Sequence, residues 1–133
     1  MENLSERIND FINQKIWAVV GASPNPEKAG HQIYIDLKNA GYEVYPVHPK
    51  AKELFGSTVY KTLSDLPKVP DVVDLVVPPE VAFEVLREAY FLGVKRIWFQ
   101  PGTESDKAIN FCEKNGIQYI AYACVMKDML KTR

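Results

Sequence analysis

Short apolar runs alternate along the chain with longer amphipathic segments, and each run stops at a turn-forming residue. Ile16 to Val20 is apolar and rich in β-branched residues and ends at Gly21, as a buried parallel strand does on reaching a turn. After the Pro-rich stretch Ser23 to Lys28, apolar Ile33, Ile35, Leu37 and Ala40 sit among polar positions, and Gly41 stands where a helix C-terminus favours it. This predicts a first crossover helix. Glu43 to Val47 predicts a second strand, stopped by Pro49, and the following stretch with Gly56, Ser57 and Pro67 reads as a long loop holding at most short pieces of structure. Val72 to Val77, broken only by Asp74, predicts a third strand that halts at Pro78-Pro79. Pro79-Glu80 then opens a helix with the apolar face Val81, Val85, Leu86 and Ala89, closed by Gly93. Lys95 to Phe99 predicts a fourth strand, Thr103 or Ser105 a cap for a helix through Asn115, and Ile117 to Ile120 a fifth strand. Leu4 to Gln14 reads as an amphipathic helix ahead of them all.

Strands separated by helices of this length imply βαβ units, hence an α/β fold: a Rossmann-type, doubly wound sheet of about five mainly parallel strands with helices on both faces. The 133 residues suit one domain, expected to span 1–133 with residues 1–15 as a helix packed on it. A composition of 47% hydrophobic and 25% charged residues fits a soluble protein with a proper core. Sixteen Lys plus Arg against seventeen Asp plus Glu leave a net charge of -1, so no nucleic-acid partner is expected and any anion must be held by a local site. No stretch approaches the roughly 20 apolar residues of a membrane helix, and the chain opens without a signal-peptide core, so a cytoplasmic protein without a membrane partner is expected. Cys112 and Cys124 lack any Cys-x-x-Cys or His-rich surroundings; neither a metal site nor a disulfide is indicated.

In an open parallel sheet, ligands bind beyond the carboxyl ends of the strands. Those ends carry the unusual residues: Gly-Ala-Ser-Pro-Asn-Pro from Gly21, Pro-Val-His-Pro-Lys from Pro46, Val-Pro-Pro-Glu from Val77 and Gln-Pro-Gly-Thr-Glu from Gln100. The first is a tight turn into a helix, where free N–H groups and the helix dipole favour a phosphate, with Ser23 as a hydroxyl donor and Lys28 as a charge. It departs from Gly-x-Gly-x-x-Gly, because Gly21 and the late Gly30 are its glycines.

At the end of the second strand, NAD-binding folds place an acidic residue on the ribose hydroxyls. Here Val47 is followed by His48 and Lys50, two potential cations that favour a nucleotide with an extra ribose phosphate, meaning NADP or coenzyme A. Pro78-Pro79 removes two N–H donors and presents a rigid apolar surface for an adenine or a pantetheine arm. Gln100-Pro101-Gly102 supplies an amide side chain and a close-approach glycine before another helix N-terminus.

Val-Val-Gly-Ala-Ser-Pro from Val19, Gly-Tyr-Glu-Val-Tyr-Pro-Val-His-Pro from Gly41, Val-Val-Pro-Pro from Val76 and Trp-Phe-Gln-Pro-Gly from Trp98 together resemble the small stand-alone coenzyme A-binding proteins. These are similar to the coenzyme A-binding domain of the succinyl-CoA synthetase alpha subunit, and the likeness runs from about Ile16 to Met126. The resemblance implies phosphates against the turn at Ala22 and Ser23 near Lys28, His48 and Lys50 at the nucleotide, Val77, Pro78 and Pro79 on the adenine side, and Gln100, Pro101 and Gly102 along the pantetheine arm. Family members commonly have Asn where His48 stands. Cys124 falls where the synthetase has a cysteine beside its acyl-transfer centre, whereas the likeness does not extend to the phosphorylated-histidine domain.

The sequence offers no nucleophile motif around its two histidines, His31 and His48. The expectation is therefore a non-catalytic carrier, sensor or accessory module for coenzyme A or an acyl-CoA, open to a protein partner or homo-oligomer. The alternative is an NADP-binding reductase or redox sensor, motivated by the same turn and second strand. A third reading makes Cys124 a partner in a mixed disulfide with the cofactor thiol. Tyr119, Tyr122 and the segment Met126 to Leu130 are candidates for a subunit contact or for sealing the sheet edge.

Overall fold

The computed structural model describes residues 3–54 and 56–124. Helix α1 (Leu4–Ile12) precedes strand β1 (Ile16–Val20), helix α2 (Ala29–Asn39) and strand β2 (Glu43–Val47). A small hairpin, β3 (Glu53–Leu54) with β4 (Ser57–Thr58), and a 3₁₀ turn at Leu63–Asp65 fill the long connection. Strand β5 (Val72–Leu75), helix α3 (Pro79–Phe91), strand β6 (Arg96–Phe99), helix α4 (Asp106–Lys114) and strand β7 (Gln118–Ile120) complete the described chain.

The main sheet has the order β2-β1-β5-β6-β7, with every pairing parallel. The chain starts in the interior, steps out to β2, then crosses back over β1 and proceeds in the opposite direction. The reversal lies between β1 and β5, and a cleft opens at such a point because the connections leaving the two strand ends part to opposite faces.

Each central strand divides its side chains between two cores, as the alternation of a pleated strand requires. Trp17, Val19, Val72 and Trp98 meet Phe11 of α1 and Ile33, Tyr34 and Leu37 of α2 on one face. Ala18, Val20, Val73, Leu75, Ile97 and Phe99 meet Ala82, Leu86 and Ala89 of α3 and Ala108 and Cys112 of α4 on the other. With both faces covered, the strands read as continuous apolar runs. Asp74 is the exception: it stands fully buried in β5, on the Trp17 and Trp98 face, level with Val19 and Trp98.

Helix α1 seals the β6 and β7 side. Phe11 meets the Trp98 ring edge-on at 6.0 Å, Arg96 pairs with Asp10 at 2.8 Å, and Arg7 donates to the Tyr119 carbonyl at 2.8 Å while its guanidinium lies over the Tyr119 ring. Tyr119 is thereby used inside the fold, whereas Tyr122 is exposed and adopts a positive φ of 65°. The segment Met126 to Leu130 lies outside the described residues.

Two expectations are corrected here. Strand β5 ends at Leu75 rather than Val77: the Val76 N–H still donates to the Val20 carbonyl at 2.8 Å, but residue pairing stops at Leu75. The core face of α3 is Ala82, Leu86 and Ala89; Val85 is half-buried at the edge of that core, and Val81, expected on the same face, is 43% exposed. Between the two cap candidates, Ser105 is the N-cap of α4, its hydroxyl accepting from the Ala108 N–H at 3.1 Å. Thr103 instead donates through its hydroxyl to the Gln100 carbonyl.

Candidate functional site

The turn after β1 is shaped by backbone contact. Gly21 has a φ of 101°, a region L side chains avoid, and a Cβ there would sit 2.2 Å from the Val76 carbonyl oxygen. A Cβ on Gly30 would sit 2.0 Å from the Gly21 carbonyl oxygen, so α2 lies directly on the turn. The late glycine therefore performs the close helix packing for which the last glycine of a dinucleotide fingerprint is used. Between them Ser23 is buried, its hydroxyl accepting from the Asn25 N–H at 3.1 Å and its carbonyl accepting from His31 Nδ1 at 2.8 Å. A carbonyl only accepts, so the His31 proton is on Nδ1 and this histidine holds the turn.

The other wall comes from the end of β2 and the loop that follows. The His48 N–H donates to the Tyr60 carbonyl at 2.8 Å and the Tyr60 N–H to the Pro46 carbonyl at 3.0 Å, a parallel bridge that fixes the returning loop against β2. His48 Nδ1 accepts from the N–H groups of Lys50 and Ala51 at 3.1 and 3.2 Å, leaving Nε2–H as the ring's donor.

These elements enclose a cavity of about 570 Å³ at the reversal of the strand order, within the size range of small-molecule sites. Gly21, Ser23, Lys28, Ala29 and Gly30 form the side with the α2 N-terminus, whose first N–H groups have no partners within the helix. Val47, His48 and Pro49, then Lys61, Thr62 and Leu63, form the β2 side. Val76, Val77 and Pro78 with Val81, Val85 and Glu88 of α3 close it. The lining is apolar over most of its extent, with Lys28, Lys61, His48 and Glu88 as its ionisable side chains among the described residues.

Of the residues singled out from the sequence, the structure brings Gly21, Ser23, Lys28, Val47, His48, Val77 and Pro78 to this cavity. Ala22 is fully buried in the core beside it. Lys50 is exposed and not on the lining, because the His48 turn carries it past the rim; Pro79 faces a separate groove between α3 and α4. Gln100 is buried and its Nε2 donates to Asp74 Oδ1 at 2.7 Å, so its amide serves the sheet interior, while Pro101 and Gly102 are exposed at the neighbouring strand end. Lys61, Thr62, Leu63 and Glu88 also line it without having been anticipated, and Gly30, Val81 and Val85, expected as a turn glycine and a helix core face, are on the lining too.

Burial pushes the Cys112 thiol up to about 12, which leaves it a packed, unreactive group. Cys124 is half-buried. Among the described residues no three His, Cys, Asp or Glu side chains converge as a metal site requires, and no helix is long and apolar enough to cross a membrane.

Sheet order and cleft together define an open-sheet α/β domain of the kind that holds its ligand at the topological switch point. A family model described as a CoA binding domain matches residues 15–129, and the chain belongs to that family. It is 30% identical over 126 residues to the alpha subunit of the ADP-forming acetate–CoA ligase II of Pyrococcus furiosus, covering 86% of this chain and 28% of that one. It is 27% identical over 127 residues to the uncharacterized protein YneT of Bacillus subtilis, covering 94% of each. A solved structure of a conserved hypothetical protein from Pyrococcus furiosus matches with a TM-score of 0.81 and 45% identity, over 84% of this chain and 97% of that one. The chain spans less than a third of the length of the acetate–CoA ligases it matches.

Proposed function

We propose that the chain binds coenzyme A or an acyl-CoA in the cavity at the ends of β1, β2 and β5, and acts as a non-catalytic carrier, sensor or accessory module. The observation that carries this reading is the polarity of the cavity. A glycine turn with Ser23, Lys28 and the α2 N-terminus stands ready for phosphates, Lys61 and His48 add donors on the β2 side, and an apolar slot between Leu63, Val77, Pro78, Val81 and Val85 suits a flat base. In this reading the pantetheine arm leaves over β5 toward the exposed Pro101 and Gly102 at the end of β6. Membership of the CoA-binding family supports the choice of ligand. Both histidines support the non-catalytic part, since each uses Nδ1 to hold backbone groups.

Isothermal titration with coenzyme A, dephospho-coenzyme A and NADP tests the reading. Coenzyme A should bind most tightly, with loss of the 3′-phosphate weakening it. Lys28→Ala and Lys61→Ala should each cost about fivefold in affinity, the size of a partly exposed charge contact, and Lys50→Ala little. Heat with NADP and none with coenzyme A would overturn the assignment in favour of a reductase or redox sensor.

A further inference from the structure

On the reading that the cavity takes the nucleotide half of coenzyme A, we infer that Glu88 selects the base by accepting a hydrogen bond from the exocyclic amine of adenine. Val81, Val85 and Glu88 are spaced four and three apart on α3, so they share one stripe, and all three line the cavity. Glu88 is the one acidic side chain on that lining among the described residues, and it stands at the valine and Leu63 end. It is held from behind: the Ser64 hydroxyl donates to Oε2 at 2.8 Å and the Leu63 N–H to Oε1 at 3.4 Å. A carboxylate oxygen accepts more than one hydrogen bond, so each retains a lone pair after these contacts.

A fixed acceptor at the end of an apolar slot discriminates by chemistry. An anionic group is repelled there, and a carbonyl edge meets oxygen with oxygen. A base that presents an amine satisfies the acceptor and buries its rings against Leu63, Val77 and Val81. Adenine presents an amine at its six position, whereas hypoxanthine presents a carbonyl at the same place. Sites built around a hydrogen bond reject the analogue that lacks it far more strongly than apolar contacts alone do.

The test is calorimetric titration of the wild-type protein, Glu88→Gln and Ser64→Ala with coenzyme A and with its hypoxanthine analogue. Wild type should prefer coenzyme A by about tenfold or more, and Glu88→Gln should compress that preference to about threefold or less, because an amide donates to the carbonyl edge as readily as it accepts from the amine. Ser64→Ala removes the brace and leaves the acceptor, so it should retain the preference. Equal wild-type affinity for the two ligands, or an equal loss for both in Glu88→Gln, would overturn the assignment of Glu88 while leaving coenzyme A binding intact. Failure of wild type to bind either ligand would overturn the coenzyme A reading itself.

Discussion

Replacing Asp74 with Asn is expected to make the protein's stability much less dependent on pH, and to raise it most at alkaline pH. The carboxyl is fully buried in β5, and one oxygen accepts from Gln100 Nε2 at 2.7 Å while the other has no hydrogen-bond partner among the described residues. Burial raises its pKa from 3.8 to about 7, with the Gln100 hydrogen bond pulling weakly the other way. Between those two values the unfolded chain has already released the proton that the folded chain retains. Stability therefore falls as pH rises, with the contribution fully present below about pH 4 and lost by the time pH has passed through 7. A shift of this size corresponds to roughly 4 kcal/mol. Urea unfolding of wild type and Asp74→Asn at pH 4.5 and 8.5 should give a difference between the two proteins that grows in the variant's favour by about 3 kcal/mol, the part of the shift that lies above pH 4.5. A difference that stays constant across the range would show that the carboxyl is ionised in the fold at low pH.

Gly30→Ala should unfold more easily by about 3 kcal/mol and lose measurable coenzyme A binding. Alanine is the better helix former by about 1 kcal/mol, so propensity alone favours the substitution. The new methyl would have to occupy a point 2.0 Å from the Gly21 carbonyl oxygen and 2.7 Å from its carbon. That neighbour is backbone, tied to the sheet through the Gly21 N–H donating to the Val47 carbonyl at 2.8 Å, and it has no rotamer to yield. Only α2 can move, taking with it the Ile33, Tyr34 and Leu37 packing and the N–H groups at its start. Denaturant midpoints and a coenzyme A titration on the same sample read both effects. A stable variant with unchanged affinity would mean that the helix does not press on the turn.

The strands and helices were legible where a run of side chains serves one purpose. Ile16–Val20 begins and ends where its apolar run and Gly21 indicate, because burial on both faces makes sequence and ladder coincide, while the edge strand Glu43–Val47, exposed at its start, is bounded by the turn residues Gly41 and Pro49. Legibility failed where apolar residues serve the cavity as well as the core. Val76 and Val77 continue the run of β5 and Val85 the helix face, yet each is only half-buried, packing on the core with one side and lining the cavity with the other; Val81 lines the cavity and is exposed, while Ala82, Leu86 and Ala89 pack the sheet. Hydrophobicity marks a surface that avoids water and does not say whether protein or ligand will cover it.

The residues lining the cavity were legible on the same terms. Strand-end residues Gly21, Ser23, His48 and Pro78 follow from the rule that ligands gather at the carboxyl edge. Lys61, Thr62 and Leu63 did not, since their position depends on the bridge between Val47 and Tyr60, a long-range backbone contact that loop composition does not encode. Gln100 is expected as a ligand contact from its place after a strand; the structure shows its Nε2 donating to Asp74 on the adjacent strand, a partner that the spacing of the two residues does not announce.

The most direct test of the central claim is an amide ¹H–¹⁵N NMR titration of the protein with coenzyme A. The largest shifts are expected on Gly21, Ser23, Gly30, His48 and Leu63, with smaller ones on Gly102 along the path of the arm. Shifts confined to the groove at Phe83 and Ser105 between α3 and α4, or spectra unchanged by the ligand, would contradict it.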